Sequence, residues 1–414
     1  MFGLVGALYY LDIPKLFRQR FKNRKVEPRC FSVEEKPSLS AFAALTSQRT
    51  FEETYPLASR IEKNIPIYES KGFDLSDRDF VDQLQDEFHH ILLHGPGVLV
   101  IQNFFSDRSV IDATNAAYDA IIQSEAEGDG KRAEGDHYAP AGANARIWNS
   151  FSKHALHDPS SFSMYHSNPL FPIICESYLG PAYRITSQVN IVHPGGAAQL
   201  PHRDYHLGFQ TGEDAAKFPR AMHAASALLT LQGAVAHTDM PLESGPTRFL
   251  PFSQTFPEGF IAYRIPEFRE YFQNHYVSVP LTKGDAVFFS PALFHAAGAN
   301  QMATCSRSAN LLQVSSAMGK TMETIDSQPV IDVCWDFLLS KYRDHQGLSA
   351  EVEALIKAIA EGYPFPTNLD RRPPAPGRMA PASEQDMLFR GLSESWARER
   401  LMDELKKMGR ASAA

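Results

Sequence analysis

The sequence of 414 residues is poor in cysteine, has no long apolar run and carries no excess of basic residues. Its four cysteines lie far apart and include no CxxC pair, which argues against a disulfide framework or a thiolate zinc site and indicates a reduced, intracellular protein. No stretch approaches the roughly 20 apolar residues that span a bilayer. The net charge of −8 argues against a general nucleic-acid-binding protein. We therefore expect a cytoplasmic protein with no nucleic-acid partner.

The first 25 residues are apolar and then basic, which is the reverse of the order in a secretory signal. Six basic residues between Lys15 and Lys25 are interleaved with Leu16, Phe17 and Phe21. Two interpretations remain open for this segment. It could make a weak contact with an anionic membrane surface, or it could pack on its own domain or on a partner subunit.

Three regions differ in their hydrophobic pattern. Residues 1–73 form an N-terminal extension of mixed short elements. Residues 74–316 hold helical spacing, a polar glycine-rich loop (Gly128–Gly142) that is either an active-site lid or simply a mobile connection, and then short strand-like runs. Residues 317–414 return to helical spacing, with a Pro-rich linker or surface strap at 364–381 and one last helix from about Ser383 to Met408.

The strand-like runs lie between Arg184 and Ser316 and are separated by Pro, Gly and Asp turns. They are RITSQVNIVH, ASALLTLQGAVA, TRFLPFS, YVSVPL, DAVFFSP and SANLLQVSS. Six short strands at such intervals predict an antiparallel sandwich or barrel.

The segment PHRDYHLGF, residues 201–209, is unusually dense in polar residues. In a strand, residues i and i+2 face the same side, so His202 and Asp204 would present an imidazole and a carboxylate together, with Arg203 facing away. One nitrogen and one anionic oxygen suit a divalent first-row metal. A solvated turn is the alternative, because two ligands are not a site and a third must come from elsewhere.

Two later residues favour a metal site. His295 lies just after a buried strand, and Arg307 lies twelve residues later in the next strand. A face of two histidines and one carboxylate is typical of non-haem Fe(II) oxygenases, and its open positions suit a chelating 2-oxo acid and dioxygen. An arginine inside an apolar strand needs an anionic partner. That partner is either a protein carboxylate or the distal carboxylate of the 2-oxo acid, which a guanidinium binds bidentately.

With the segments ESGPTRFLPFSQ at 243–254 and KGDAVFFSPALFHAAGAN at 283–300, the sequence resembles the phytanoyl-CoA dioxygenase family of Fe(II)/2-oxoglutarate oxygenases over residues 74–316. The resemblance implies a mixed α/β (α+β) protein with a double-stranded β-helix core of the jelly-roll or cupin kind, flanked by helices and by helical N- and C-terminal extensions. It implies His202, Asp204 and His295 as iron ligands, and Arg307 as the partner of the 2-oxoglutarate C5 carboxylate.

The implied reaction consumes dioxygen and 2-oxoglutarate, releases succinate and CO2, and hydroxylates or otherwise oxidises a C–H bond of a small organic substrate. Ascorbate is a candidate stimulant. Gln188 and Asn190 share one face of a predicted strand, and the resemblance makes Asn190 the candidate for 2-oxoglutarate and Gln188 the candidate for substrate. His206 would line the pocket if the strand of His202 and Asp204 continued. Trp148 is a further candidate substrate contact, although core packing explains it equally well.

The competing interpretation is a metal-binding protein on the same fold without oxygenase chemistry, such as a cupin-type isomerase or a binding module. Arg307 discriminates between the two, because an isomerase has no need of a clamp for the distal carboxylate of a 2-oxo acid.

Overall fold

An eight-stranded sheet organises the chain, of which the computed structural model describes residues 26–128 and 144–413. The strands are β1 (Arg60–Glu62), β2 (Ile65–Glu69), β3 (Val98–Gln102), β4 (Asn144–Ile147), β5 (Arg184–Val192), β6 (Thr230–Ala236), β7 (Arg248–Leu250), β8 (Ala286–Phe289), β9 (Phe294–Ala296) and β10 (Arg307–Ser315). The sheet order is β1-β2-β3-β8-β6-β10-β5-β4, and β7 pairs with β9 in a separate two-stranded sheet. All neighbours are antiparallel except β2 and β3.

The α-helices of the described chain flank this sheet. They are α1 (Leu39–Thr46), α2 (Arg78–Leu93), α3 (Arg108–Gly128), α4 (Ser150–His157), α5 (Pro159–His166), α6 (Leu170–Leu179), α7 (Gly212–Ala215), α8 (Arg220–Leu228), α9 (Gly259–Ala262), α10 (Pro266–His275), α11 (Ser327–Asp344), α12 (Ala350–Ile359), α13 (Glu384–Ser393) and α14 (Arg398–Ser412). None of them is long and apolar enough to cross a membrane.

Strand β10 shows how the sheet separates the core from the site. It pairs with β5 over nine residues and with β6 over seven, so it is central and buried on both faces. Because side chains alternate along a strand, Leu312 and Val314 enter the large core beneath the helices. Ala309 and Leu311 lie on the opposite face and line a cavity together with Arg307.

The large core joins the sheet to the C-terminal helices. It contains Leu99 and Ile101 of β3 together with Trp335 and Leu338 of α11, all without exposed surface. Helices α2 and α13 begin where the sequence places a cap: the Asp77 carboxylate accepts from two backbone N–H groups, and Ser383 forms a capping box. Local capping and tertiary burial therefore agree on these helix positions.

Three of the sequence predictions are wrong in detail. ASALLTLQGAVA is not one strand, because its first four residues end α8 and only Thr230–Ala236 forms β6. YVSVPL is not a regular strand, since only Val277 and Leu281 form isolated bridges. The last helix is broken into α13 and α14, because Ser395 takes a left-handed backbone (φ 52°) that turns Trp396 back into the core.

Several predicted segments have a defined place. Strands β1 and β2, within the predicted N-terminal extension, add to the edge of the main sheet. The Pro-rich strap lies against the end of α14, where Asn368 donates to the Ser412 carbonyl (3.0 Å) and Arg372 donates to the Ser412 hydroxyl (2.6 Å). The basic segment at 15–25 and the glycine-rich loop after Gly128 lie outside the described residues.

Candidate metal centre

The segment that holds His202 and Asp204 is a bridge followed by a turn, not the strand that the sequence predicts. The backbone of His202 exchanges two hydrogen bonds with His295 (3.0 and 3.1 Å), and the Asp204 N–H donates to the Pro291 carbonyl (2.9 Å). Tyr205 and His206 then take positive φ values of 63° and 43°, which turn the chain into a short 3-10 helix. The bridge and the hydrogen bond to Pro291 together bring His202 and Asp204 beside His295.

The three side chains offer one donor atom each within 4.8 Å of one another. His202 Nε2 lies 3.6 Å from Asp204 Oδ1, and His295 Nε2 lies 3.4 Å from Asp204 Oδ2. Donors on adjacent corners of an octahedron with bonds of about 2.1 Å are about 3 Å apart. The three donor atoms lie somewhat farther apart than this, so they must move closer together to hold a single divalent ion.

Both histidines have a defined tautomer. His202 Nδ1 lies 2.9 Å from the Leu200 carbonyl, and His295 Nδ1 lies 2.8 Å from the Leu293 carbonyl. Because a carbonyl only accepts, each Nδ1 carries the proton and each Nε2 keeps its lone pair. This arrangement orients the rings of metal-ligating histidines, so the donor set is preorganised.

Electrostatics favour the metal-binding forms of two candidate ligands, His202 and Asp204. Burial lowers the pKa of His202, which favours the neutral imidazole. Burial alone would raise the pKa of the Asp204 carboxyl, but the neighbouring His202 and His295 and a hydrogen bond from Gln232 outweigh it and hold that pKa well below its ordinary value. The carboxylate form of Asp204 is therefore the stable one at neutral pH.

A cavity of about 570 Å³ opens from this cluster. One side is apolar, with Met240, Phe249, Val279, Leu281, Val287 and Phe289 among its walls. Leu200 and Phe209 line the cavity while remaining 62% and 51% exposed, so they mark its mouth. The volume lies in the range of about 300–1,000 Å³ that is typical of small-molecule sites.

Arg307 lines the same cavity and is 6% exposed. Its Nη1 donates to the Ser244 carbonyl at 3.3 Å, and no carboxylate in the described chain forms an ion pair with it. Burial lowers its pKa to about 10, so the guanidinium stays charged at neutral pH. A buried cation without a protein counter-ion fits an anionic ligand in the cavity.

The four other candidate contacts, Asn190, Gln188, Trp148 and His206, differ in whether they line the cavity and in their hydrogen bonds. Asn190, Gln188 and Trp148 line the cavity. The Asn190 amide makes no hydrogen bond within the described residues and its Oδ1 is buried. The Gln188 amide is engaged, because Arg146 donates to its Oε1 (2.8 Å). His206 does not line the cavity, since the turn at Tyr205 directs it toward Thr230 (3.5 Å).

Sequence reasoning missed two glutamines and an arginine that line the cavity, namely Gln232, Gln313 and Arg146. Gln232 on β6 donates to Asp204 Oδ2 at 2.6 Å and to Gln313 Oε1 at 3.2 Å. The available signal was a glutamine inside each of two apolar strands, a polar residue that a buried strand holds only with a partner.

Comparison with known proteins agrees with this geometry. Residues 93–309 match the family model described as Phytanoyl-CoA dioxygenase (PhyH). Because the match covers 217 of the 414 residues, more than half, the chain belongs to this family of Fe(II)/2-oxoglutarate oxygenases. It is a 2-oxoglutarate-dependent non-haem iron enzyme, with Fe(II) and 2-oxoglutarate as its cofactor and co-substrate.

Three solved structures are among those similar to the chain. The non-heme alpha ketoglutarate dependent epimerase SnoN from nogalamycin biosynthesis is 17% identical, covers 58% of this chain and 84% of its own, and has a TM-score of 0.39. The carbocyclase SnoK is 19% identical, with 60% and 86% covered and a TM-score of 0.40. EvdMO1 is 15% identical, with 56% and 50% covered and a TM-score of 0.39. No curated protein matches the sequence.

Proposed function

We propose that this enzyme hydroxylates, or otherwise oxidises, a C–H bond of a small organic substrate while 2-oxoglutarate and dioxygen are converted to succinate and CO2. The observation that supports this best is a cavity that holds the donors of His202, Asp204 and His295 and also Arg307, which forms no ion pair with a carboxylate of the described residues. A metal site alone would serve a cupin-type isomerase equally well. The additional buried cation favours a site that also binds a dicarboxylate.

In this proposal His202, Asp204 and His295 hold the iron through two Nε2 atoms and one carboxylate oxygen. When bound there, Fe(II) supplies the activation of dioxygen that the oxidation requires. The three side chains would hold the ion at the edge of the cavity, which would leave room for the co-substrate. The hydrogen bonds from both Nδ1 atoms to backbone carbonyls orient the rings, so both Nε2 lone pairs are available to the metal.

Arg307 binds the distal carboxylate of 2-oxoglutarate in this proposal. A guanidinium has five N–H donors, and Arg307 uses one of them, in a long bond to Ser244. The remaining donors form a planar fork that matches a carboxylate. Asn190 is the second candidate contact, because its amide has no protein partner in the described chain and can donate an N–H to an anionic oxygen.

The substrate occupies the part of the cavity near Gln188 and Trp148 in this proposal. There Arg146 donates to Gln188 and also lies 4.9 Å from the Trp148 ring, so both candidates belong to one polar cluster. Apolar walls and the exposed side chains of Leu200 and Phe209 exclude water from the bound substrate. The role of the protein is to hold one C–H bond near the metal.

We also propose that the main sheet and the β7–β9 sheet form the two halves of a double-stranded β-helix, since residues of both line the cavity. The division into residues 1–73, 74–316 and 317–414 stays a prediction.

An anaerobic titration tests the proposed function. Protein with Fe(II) and 2-oxoglutarate, without oxygen, is expected to show the charge-transfer absorption of a chelated 2-oxo acid. With oxygen and ascorbate it is expected to release succinate slowly even without substrate. Asp204→Ala should lose the absorption and bind Fe(II) more weakly, because one of three protein ligands is gone. An unaltered protein that shows neither the absorption nor succinate above a metal-free control would favour the cupin-type alternative.

A further inference from the structure

Besides the two candidate histidine ligands, Gln232 is the residue of the described chain whose side chain contacts the Asp204 carboxylate, to which it donates a hydrogen bond. Its Nε2 lies 2.6 Å from Asp204 Oδ2, and the residue is only 4% exposed. Because an ionised carboxylate only accepts, the amide nitrogen of Gln232 must face it. The Gln232 amide is therefore oriented with its nitrogen toward Asp204.

The second N–H of the Gln232 amide is also engaged. It donates to Gln313 Oε1 at 3.2 Å, and Gln313 is the cross-strand partner of Gln232 in the pairing of β6 with β10. Gln313 makes no hydrogen bond to Asp204. Two central strands thus hold the Gln232 amide in place, and only one of the two glutamines reaches the carboxylate.

We propose that Gln232 is a positioning residue that determines how Asp204 binds the metal. This proposal rests on the proposed function, because it takes Asp204 to be a metal ligand. The hydrogen bond from Gln232 engages Oδ2, and Oδ1, which faces His202, is left as the metal-binding oxygen. Gln232 thereby keeps the carboxylate monodentate.

Monodentate binding matters for the number of open positions. Two histidines and one carboxylate oxygen leave three of six positions, enough for a chelating 2-oxo acid and dioxygen. A carboxylate that bound through both oxygens would leave only two. Without the Gln232 hydrogen bond Asp204 can rotate, so we expect both weaker metal binding and a different coordination of the bound ion.

The experiment compares Gln232→Met with Gln313→Met, using Co(II) alone as the probe. Methionine keeps an unbranched chain of similar length and removes the donor. Loss of a hydrogen-bonding partner of a metal ligand typically costs about 10–100-fold in metal affinity. We expect the dissociation constant for Co(II) to rise by that factor in Gln232→Met, with a changed visible absorption spectrum at saturating Co(II). Gln313→Met removes a partner of Gln232 but no hydrogen bond to Asp204, so it should lose less affinity than Gln232→Met and keep the absorption spectrum of the unaltered protein.

The outcomes separate this proposal from the proposed function. If the unaltered protein binds Co(II) but Gln232→Met binds it equally well with the same spectrum, Gln232 is not a positioning residue. The same conclusion follows if Gln313→Met loses affinity to the same extent, because the effect would then come from the strands. An unaltered protein that does not bind Co(II) would overturn the metal centre itself. Gln232→Leu replaces Gln232→Met if the latter does not fold.

Discussion

Buried arginines differ in the protein groups that they contact, and this difference makes Arg307 the candidate for an anionic ligand. Arg184 pairs with Glu361 (3.1 Å), and Arg203 donates to the carbonyls of Ser253 and Phe256. Arg307 has a single long hydrogen bond and faces the cavity. Since a buried charge is costly without compensation, the missing partner of Arg307 is expected to arrive with the co-substrate.

Replacing Arg307 tests this assignment. Arg307→Leu should raise the apparent KM for 2-oxoglutarate by roughly a hundredfold, because a hydrogen bond to a charged partner contributes about 1.5–3 kcal/mol and a bidentate pair lies at the upper end. Arg307→Lys should recover part of the loss, since lysine offers a point charge and no fork. Titration of 2-oxoglutarate at fixed Fe(II) measures both. Loss of iron affinity with an unchanged KM would instead make Arg307 a structural residue.

The loop that carries His202 and Asp204 is held through the residue between them. The Arg203 guanidinium lies 5.0 Å from the Phe260 ring and 5.3 Å from the Phe294 ring, and burial lowers its pKa to about 9. A Cβ added at Gly259, the first residue of α9, would lie 1.8 Å from Arg203 Cζ. Helix α9 can therefore approach the segment that carries His202 and Asp204 this closely only because residue 259 is glycine.

Gly259→Ala is expected to displace Arg203 and with it the metal loop. The Arg203 side chain is 2% exposed, contacts two rings and donates to the carbonyls of Ser253 and Phe256, so displacing it breaks these contacts. Overpacking of this kind costs about 1–3 kcal/mol in the free energy of unfolding, and we expect weaker Co(II) binding as well. Denaturant unfolding and a Co(II) titration measure the two effects.

The matched control is Gly212→Ala, where an added Cβ would meet no atom within 4 Å. It should leave both quantities nearly unchanged. If Gly259→Ala behaved like Gly212→Ala, the Arg203 guanidinium would not hold the loop.

At the scale of the whole molecule, the sheet has a cavity on one face and the helical core on the other. The C-terminal helices belong to that core: Trp335 of α11 is fully buried, and its Nε1 donates to the Trp396 carbonyl at 3.2 Å. Leu388, Leu392, Leu401 and Leu405 join the same core. The eight-stranded sheet and residues 317–414 therefore share one apolar core, so we expect them to unfold together.

Trp335→Ala tests this coupling. Removing a fully buried tryptophan should lower the free energy of unfolding by about 3–5 kcal/mol. Circular dichroism during denaturant unfolding should show one transition, shifted to lower denaturant, and Co(II) release should follow the same curve. The control Leu348→Ala, at a residue that is 51% exposed, should shift it little. Two separate transitions would mean that residues 317–414 unfold independently of the sheet.

Local patterns determined most of the helices and the identity of the candidate ligands. The helical apolar spacing near the start of residues 74–316 predicts α2, which the structure places at Arg78–Leu93. The family resemblance, carried by short motifs, selected His202, Asp204, His295 and Arg307, which line one cavity. Helical periodicity and the order of motifs are properties of the amino-acid sequence, so they can be recognised before the tertiary structure is known.

Tertiary structure alone decided how these pieces meet. The sequence predicted a strand through His202 and Asp204, whereas pairing with His295 leaves a single bridge and a turn that moves His206 away. The hydrogen bond from Gln232 to Asp204 joins residues 28 positions apart. That Arg307 forms no ion pair with a carboxylate in the described part of the chain also depends on the packing of distant segments around the cavity. Such contacts depend on strand pairing and packing between distant segments, which no local periodicity encodes.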